Sequence, residues 1–181
     1  MTTNGQFTID VEDVEYLRHG DKPLLARIFR PRGNGPFPLI VDLHGGAWCV
    51  SNRESDTIIN EALAKSGVVV AALDFRMPPD ASYPGSMADI NYAIRWLKTR
   101  ATSLGSRPDL VGVLGVSSGA HQAMLGAMRP ADARYAAIST ARRLSRRRRH
   151  RPLRRPVLAR HRPPGALPLR QEAQGGRSAL S

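Results

Sequence analysis

The pattern Gly115-Val116-Ser117-Ser118-Gly119 constrains this chain more than any other stretch of it. Residues 110–116 form an apolar run that predicts a buried strand, and residues 118–128 predict a helix, so Ser117 stands at the joint. A turn this tight brings the two backbones close together, and glycine at both outer positions leaves room for that approach. The pattern is typical of a nucleophile elbow, which presents its serine at the carboxyl edge of a sheet. An ordinary glycine-rich turn is the alternative.

A second glycine-rich loop precedes the elbow. Residues 38–43 are an apolar run that predicts a strand, and His44-Gly45-Gly46-Ala47-Trp48 follows directly. This loop resembles the one that supplies backbone N–H donors to the oxyanion hole of esterases and lipases. Further along, Asp-Phe-Arg-Met-Pro-Pro at residues 74–79 precedes Tyr83-Pro84 and Asp89. With these segments in this order, residues 7 to about 138 resemble an α/β-hydrolase of the hormone-sensitive-lipase-like, or acetyl-esterase-like, esterase group.

This resemblance implies a carboxylesterase that acts on small-molecule esters, with Ser117 as the nucleophile that forms an acyl-enzyme. It implies no cofactor and no metal. It assigns two roles to five further residues: Gly46, Ala47 and Ser118 as donors of the oxyanion hole, and Gly115 and Gly119 as the glycines of the elbow.

The apolar patterning before the elbow alternates between strands and helices. Two alternating segments and a β-branched run predict strands, and two stretches with helical spacing predict helices. The strands are expected at residues 7–17, 24–29 and 68–73, and the helices at about residues 54–65 and around residues 87–97. The expected fold is therefore α/β: the N-terminal part of an α/β-hydrolase sheet, mostly parallel, with helices on both faces.

The composition changes near residue 140. The chain has 181 residues and a formal net charge of +12, yet residues 1–140 contain 14 Lys+Arg and 14 Asp+Glu. Residues 141–181 contain 13 Arg, five prolines, no aromatic residue and one acidic residue, Glu172. Such a stretch buries too little apolar surface to offset the entropy of ordering it. We therefore expect a truncated α/β-hydrolase core at residues 1–140 and a disordered basic tail at residues 141–181.

Two interpretations of this tail stay open. Its arginines could neutralise phosphates, which would make the chain a basic nucleic-acid-binding protein on an inactive hydrolase scaffold, although it lacks aromatic residues that stack on bases. The composition is also typical of a GC-rich coding strand read out of frame. Residues 158–163, shifted by one base, can encode Trp-Pro-Val-Ile-Asp-Pro, which resembles a further strand and its turn. We favour a frameshift near residue 139, with nucleic acid bound only through non-specific charge, if at all.

The catalytic acid and base are expected to be missing. The fold supplies them after the serine, in the order acid and then histidine. Downstream of Ser117 the acidic residues are Asp132 and Glu172, and the histidines are His121, His150 and His161. Asp132 comes too soon, His121 is expected to pack under the elbow, and the others lie in the basic tail. The activity of this chain is therefore doubtful.

Several residues near the two glycine loops have a structural interpretation. His44 is expected to shape the loop, with its imidazole bonded to backbone. Trp48 and Tyr83 either line an acyl pocket or belong to the core, and the one cysteine, Cys49, is expected to be a small buried side chain. No signal peptide and no run of about 18 apolar residues opens or interrupts the chain, so we expect a soluble, cytoplasmic protein of undetermined oligomeric state.

Overall fold

The computed structural model describes residues 6–140, and the predicted tail with its disorder lies outside them. The described part contains five strands, three α-helices and one short 3₁₀ helix at Thr102–Leu104. The strands are β1 (Ile9–His19), β2 (Lys22–Pro31), β3 (Phe37–Leu43), β4 (Val69–Leu73) and β5 (Ser106–Gly115), and the helices are α1 (Thr57–Lys65), α2 (Gly85–Arg100) and α3 (Ser118–Met128).

The strands form one mixed sheet in the order β1-β2-β4-β3-β5. The β1–β2 hairpin is antiparallel and joins β4 in an antiparallel pairing, whereas β3 runs parallel to both β4 and β5. The parallel pairings arise because α1 connects β3 to β4 and α2 connects β4 to β5, which are strand-helix-strand crossovers. The predicted α/β class and the N-terminal part of a hydrolase sheet are confirmed, but the described sheet is mixed rather than mostly parallel, because two of its four pairings are antiparallel.

Helices cover both faces of this sheet. On one face, the β3 side chains of Leu39, Val41 and Leu43 pack in a core that includes Met87 and Leu97 of α2. On the other face, α1 contributes Ala64 to a smaller cluster that contains Phe29, Val70 and Ala72. Full burial of one leucine side chain is worth about 2 kcal/mol. The central strands therefore carry most of the apolar burial, and all five residues of β4 are buried.

Strand β5 differs from its prediction as a buried strand. It lies at the end of the sheet order, and β3 is its neighbour among the strands of residues 6–140. Helix α1 packs against β1, β2 and β4. In this end strand Leu110 is 40% exposed and Val113 is 43% exposed. The apolar pattern of the strand was interpreted correctly as β-structure, but its burial was not, because burial depends on a neighbour that the pattern does not contain.

An exposed apolar edge strand is a template for pairing with another chain, so we expect concentration-dependent self-association through β5. Leu110→Lys should lower it, because a charged side chain on an edge strand opposes pairing. Sedimentation velocity over a concentration series measures this. Ile58→Lys is the matched control, since Ile58 is 87% exposed but lies on α1. Equal effects of the two substitutions would contradict a role for the strand edge.

Candidate active site

The turn between β5 and α3 holds Ser117 in an uncommon backbone conformation. Its φ is 51° and its ψ is −116°, a region that side chains with a Cβ rarely adopt. The Gly119 N–H donates to the Val116 carbonyl at 2.8 Å, and the Ala120 N–H donates to the Ser117 carbonyl at 3.0 Å. These bonds close the turn and begin the helix. The serine is exposed at the carboxyl end of its strand, where the elbow pattern predicts it.

The two elbow glycines are required by close backbone contacts. A Cβ placed on Gly115 would lie 2.5 Å from the carbonyl carbon and oxygen of Gly119. A Cβ on Gly119 would lie 1.9 Å from the carbonyl oxygen of Leu43, the last residue of β3. Neither position can accept a side chain without moving backbone, which is the reason that the sequence predicts for them.

Gly119→Ala should therefore lower the free energy of unfolding by about 3 kcal/mol, as overpacking against fixed backbone does. Gly126→Ala is the matched control in the same helix. Its Cβ would meet only Met87 Cε at an ordinary 3.7 Å, and alanine favours a helix over glycine by up to about 1 kcal/mol. Urea unfolding of both variants measures the difference. Similar stabilities would show that the elbow is not tightly packed against β3.

The loop after β3 contacts the elbow. A Cβ on Gly45 would lie 3.3 Å from Ser117 Cβ, and the Trp48 N–H donates to Ser118 Oγ at 3.3 Å. Gly46, Ala47 and Trp48 all have positive φ, at 109°, 51° and 63°. The structure thus brings together the two glycine segments that the sequence singles out.

The N–H groups predicted as oxyanion donors make no hydrogen bond that the described residues show. No hydrogen-bond acceptor for the N–H of Gly46, Ala47 or Ser118 is found within residues 6–140. Ser118 is also the first residue of α3, and the first N–H groups of a helix have no intrahelical partner. The helix dipole places partial positive charge at that end. The arrangement suits a developing negative charge beside Ser117.

The buried ring of His44 supports the loop that follows β3. The ring is 2% exposed, its Nδ1–H donates to the Gly45 carbonyl at 2.7 Å, and it stacks on Phe75 with 4.4 Å between the ring centroids. The predicted backbone hydrogen bond of this imidazole is confirmed. A ring held by its own loop is a structural part of that loop.

His121 does not lie where it was expected. It is exposed on the first turns of α3, and its ring meets Trp48 edge-on at 5.6 Å, so the prediction that it packs under the elbow is wrong. The helix turns this position outward, whereas Ser118, Gly119 and Gln122 face inward. Its nearest described aromatic partner is therefore the loop tryptophan.

Asp132 is paired with a cation. It accepts a hydrogen bond from Arg134 at 2.7 Å, and this bond lowers the pKa of Asp132 to about 2. Within residues 6–140 the carboxylate in contact with a histidine is instead Asp89, which lies 2.8 Å from His19 and also accepts from Arg76. His150, His161 and Glu172 lie outside the described part of the chain.

Three further side chains that the sequence singled out are exposed. Trp48 is 51% exposed and Tyr83 is 53% exposed, so neither is a core residue. Cys49 is exposed rather than buried, because it follows Trp48 in the loop that projects from β3. For Cys49 the residue type alone indicated burial, which is wrong. For Trp48 and Tyr83 the exposure excludes the core, and the acyl-pocket interpretation stays a prediction.

Asp42 is a buried carboxylic acid that sequence reasoning missed. It sits on β3, 1% exposed, and accepts a hydrogen bond from Asn60 of α1 at 2.8 Å. Its other oxygen has no partner in the described part of the chain. Burial raises the pKa of Asp42 from 3.8 to about 6, and the nearby Asp56 adds to the rise. An acidic residue inside the predicted strand was the available signal.

This raised pKa predicts how stability depends on pH. Because the folded state favours the protonated acid, wild type loses this contribution as pH rises from about 4 to about 6. One pKa unit corresponds to about 1.4 kcal/mol, so Asp42→Asn should gain about 3 kcal/mol relative to wild type between pH 4 and pH 7.

Urea unfolding at several pH values measures this difference. Asp109→Asn is the control with the opposite sign, because Arg107 lowers the pKa of Asp109. A stability difference between Asp42→Asn and wild type that does not change with pH would contradict the burial of an acid at this position.

Comparison with known proteins agrees with this geometry. The model of the BD-FAE family matches residues 27–148. The chain belongs to this family. The probable carboxylic ester hydrolase LipM of Mycobacterium tuberculosis is 29% identical over 126 residues, covering 68% of this chain and 29% of that protein. The versiconal hemiacetal acetate esterase of Dothistroma septosporum is 30% identical over 112 residues, 61% of this chain and 31% of that one.

Comparison with solved structures supports the same fold. The thermophilic esterase Est2 of Thermogutta terrifontis superposes with a TM-score of 0.60 at 28% identity, covering 64% of this chain and 43% of that chain. The protein is thus an α/β-hydrolase of the hormone-sensitive-lipase-like esterase type. It spans about three tenths of the length of the curated relatives named above. No helix within residues 6–140 is long and apolar enough to cross a membrane.

Proposed function

We propose that this hydrolase carries the nucleophile and the oxyanion hole of a carboxylic ester hydrolase. The observation that carries the proposal is the strained Ser117 at the end of β5, in contact with the loop that contains Gly46 and Ala47. A non-glycine residue in a rare backbone conformation persists only where its surroundings enforce it, and such residues cluster at functional sites. The family relationship supports the same assignment.

The chemistry proposed for the site is acyl transfer. Ser117 Oγ attacks the ester carbonyl carbon, and the N–H groups of Gly46, Ala47 and Ser118 stabilise the negative charge that forms on the carbonyl oxygen. The alcohol then leaves with a proton, and an acyl-enzyme remains on the serine. Water attacks the acyl-enzyme, which releases the acid and restores the hydroxyl. Each attack needs a base that accepts a proton from the attacking hydroxyl or water.

We propose that the described part of this chain lacks such a base. His44 is bonded to its own loop, and His19 is paired with Asp89, which Arg76 also holds. The ring of His121 meets Trp48 edge-on, and no hydrogen bond from it to Ser117 Oγ is found within residues 6–140. Asp132 is paired with Arg134 and contacts no histidine among the residues described. We therefore propose that residues 6–140 hold the nucleophile and donors without a working acid and base.

Small acyl groups are the proposed substrates. One relative is an acetate esterase by name, and another is a probable carboxylic ester hydrolase. The alternative function, nucleic-acid binding through the basic tail, lies outside residues 6–140, and no contact within them favours it.

We expect this chain to hydrolyse p-nitrophenyl acetate at least about 10⁴-fold more slowly than a full-length relative, because removal of the base leaves only catalysis by the oxyanion hole and binding. Ser117→Ala should change this residual rate little, because a rate left by the oxyanion hole and binding does not pass through the serine. Ser103→Ala is the matched control, since its hydroxyl bonds only the Arg100 carbonyl on the short 3₁₀ helix. Spectrophotometric release of p-nitrophenolate measures all three. Robust turnover that Ser117→Ala removes would contradict this expectation and would show that a base does reach the serine.

A further inference from the structure

The loop that carries the proposed oxyanion donors is strained along most of its length. Positive φ values occur at Gly46, at the non-glycine residues Ala47 and Trp48, and again at Ser51, where φ is 95°. Backbone of this kind is not favoured locally and needs fixed attachments at both ends. The first end continues directly from β3 and contacts the elbow. The second end, after residue 52, needs an attachment of its own.

Arg53 holds that second end. Its side chain is 17% exposed, and its guanidinium donates to two carboxylates: to Asp74 at 3.0 Å and to Asp13 at 2.9 Å and 3.2 Å. Its backbone N–H also donates to Asp74 at 3.0 Å. A planar guanidinium can bridge two acids in this way, because its donors point in fixed directions.

Both acids are themselves anchored to the sheet. Asp13 belongs to β1 and accepts two hydrogen bonds from Arg27 of β2, at 2.8 Å and 2.9 Å. The hydrogen bonds from Arg27 and Arg53 hold the pKa of Asp13 well below its usual range, so this acid stays charged. Asp74 follows the last residue of β4, and its N–H donates to the Leu25 carbonyl of β2 at 2.8 Å. Arg53 thereby ties the loop to three strands.

We propose that Arg53 is a positioning residue that fixes the loop of Gly46 and Ala47 against Ser117. The inference rests on the proposed function, because the loop matters for catalysis only if its N–H groups are the oxyanion donors. Arg53 does not touch the substrate. It acts through the backbone of residues 46–52, whose geometry decides where those N–H groups point.

A purely structural ion pair would stabilise the whole fold and leave the loop no looser than the rest. The two roles are separated by a local readout. Cys49 is the only cysteine of the chain, is exposed, and lies in this loop four residues before Arg53. Its reaction rate with a thiol reagent, together with hydrogen exchange of the peptide that spans residues 46–52, reports on the loop alone.

The test uses the full chain with Arg53→Met. We expect hydrogen exchange of residues 46–52 to accelerate at least about tenfold and Cys49 to react faster, while peptides of β3 and β4 keep their protection. Arg53→Lys should give an intermediate result, because an ammonium does not reproduce the fork. Arg32→Met is the matched control, since it removes an arginine paired with Asp10 at 2.6 Å on β1 without touching the loop.

Asp13→Asn is the second variant, and it should loosen the same peptide by removing one side of the fork. Unchanged exchange in Arg53→Met overturns the proposal, and so does loss of protection across all peptides in both variants. The exchange experiment needs no turnover. A loosened loop in a chain whose Ser117 is not labelled by a phosphonofluoridate ester would therefore refute the proposed function while leaving the anchor standing. Where residual hydrolysis is measurable, Arg53→Met should lower kcat with KM nearly unchanged.

Discussion

The contact between Gly119 and the carbonyl of Leu43 is the constraint on which the candidate site depends. At this point the first turn of α3 touches the end of β3, and no side chain fits between them. The contact fixes the elbow against β3, the strand from which the loop of the proposed oxyanion donors departs. The serine and the loop are therefore positioned by one short backbone approach, and the sequence needs only two glycines and a parallel pairing to produce it.

Charged and polar side chains hold the two segments that this backbone contact does not reach. Arg53 and Arg27 share Asp13 and connect the far end of the loop to the N-terminal hairpin. Arg76 and His19 share the buried Asp89 and connect the segment after β4 to the same hairpin. The antiparallel strands β1 and β2 are thus more than an edge of the sheet, because they supply polar side-chain anchors for the segments that follow β3 and β4.

Much of this could be predicted from the sequence, and the failures share one cause. The elbow, its glycines, the loop after β3 and the order of strands and helices follow from local spacing and from glycine chemistry. The exposure of β5, Trp48 and Cys49 does not, because burial depends on which element lies opposite. The partners of Asp42, Asp13 and Asp89 are 13 to 70 residues away in the chain, so their pairings arise only from the fold.

The central claim is that the fold presents Ser117 as the nucleophile. Incubation of the full chain with a phosphonofluoridate ester, followed by peptide mass spectrometry, tests it directly, since such reagents phosphonylate a serine beside an oxyanion hole. The expected result is one slowly formed adduct on the peptide of Ser117, absent from Ser117→Ala and present in Ser118→Ala. Adducts spread over many exposed serines, or an adduct that survives Ser117→Ala, would contradict the claim.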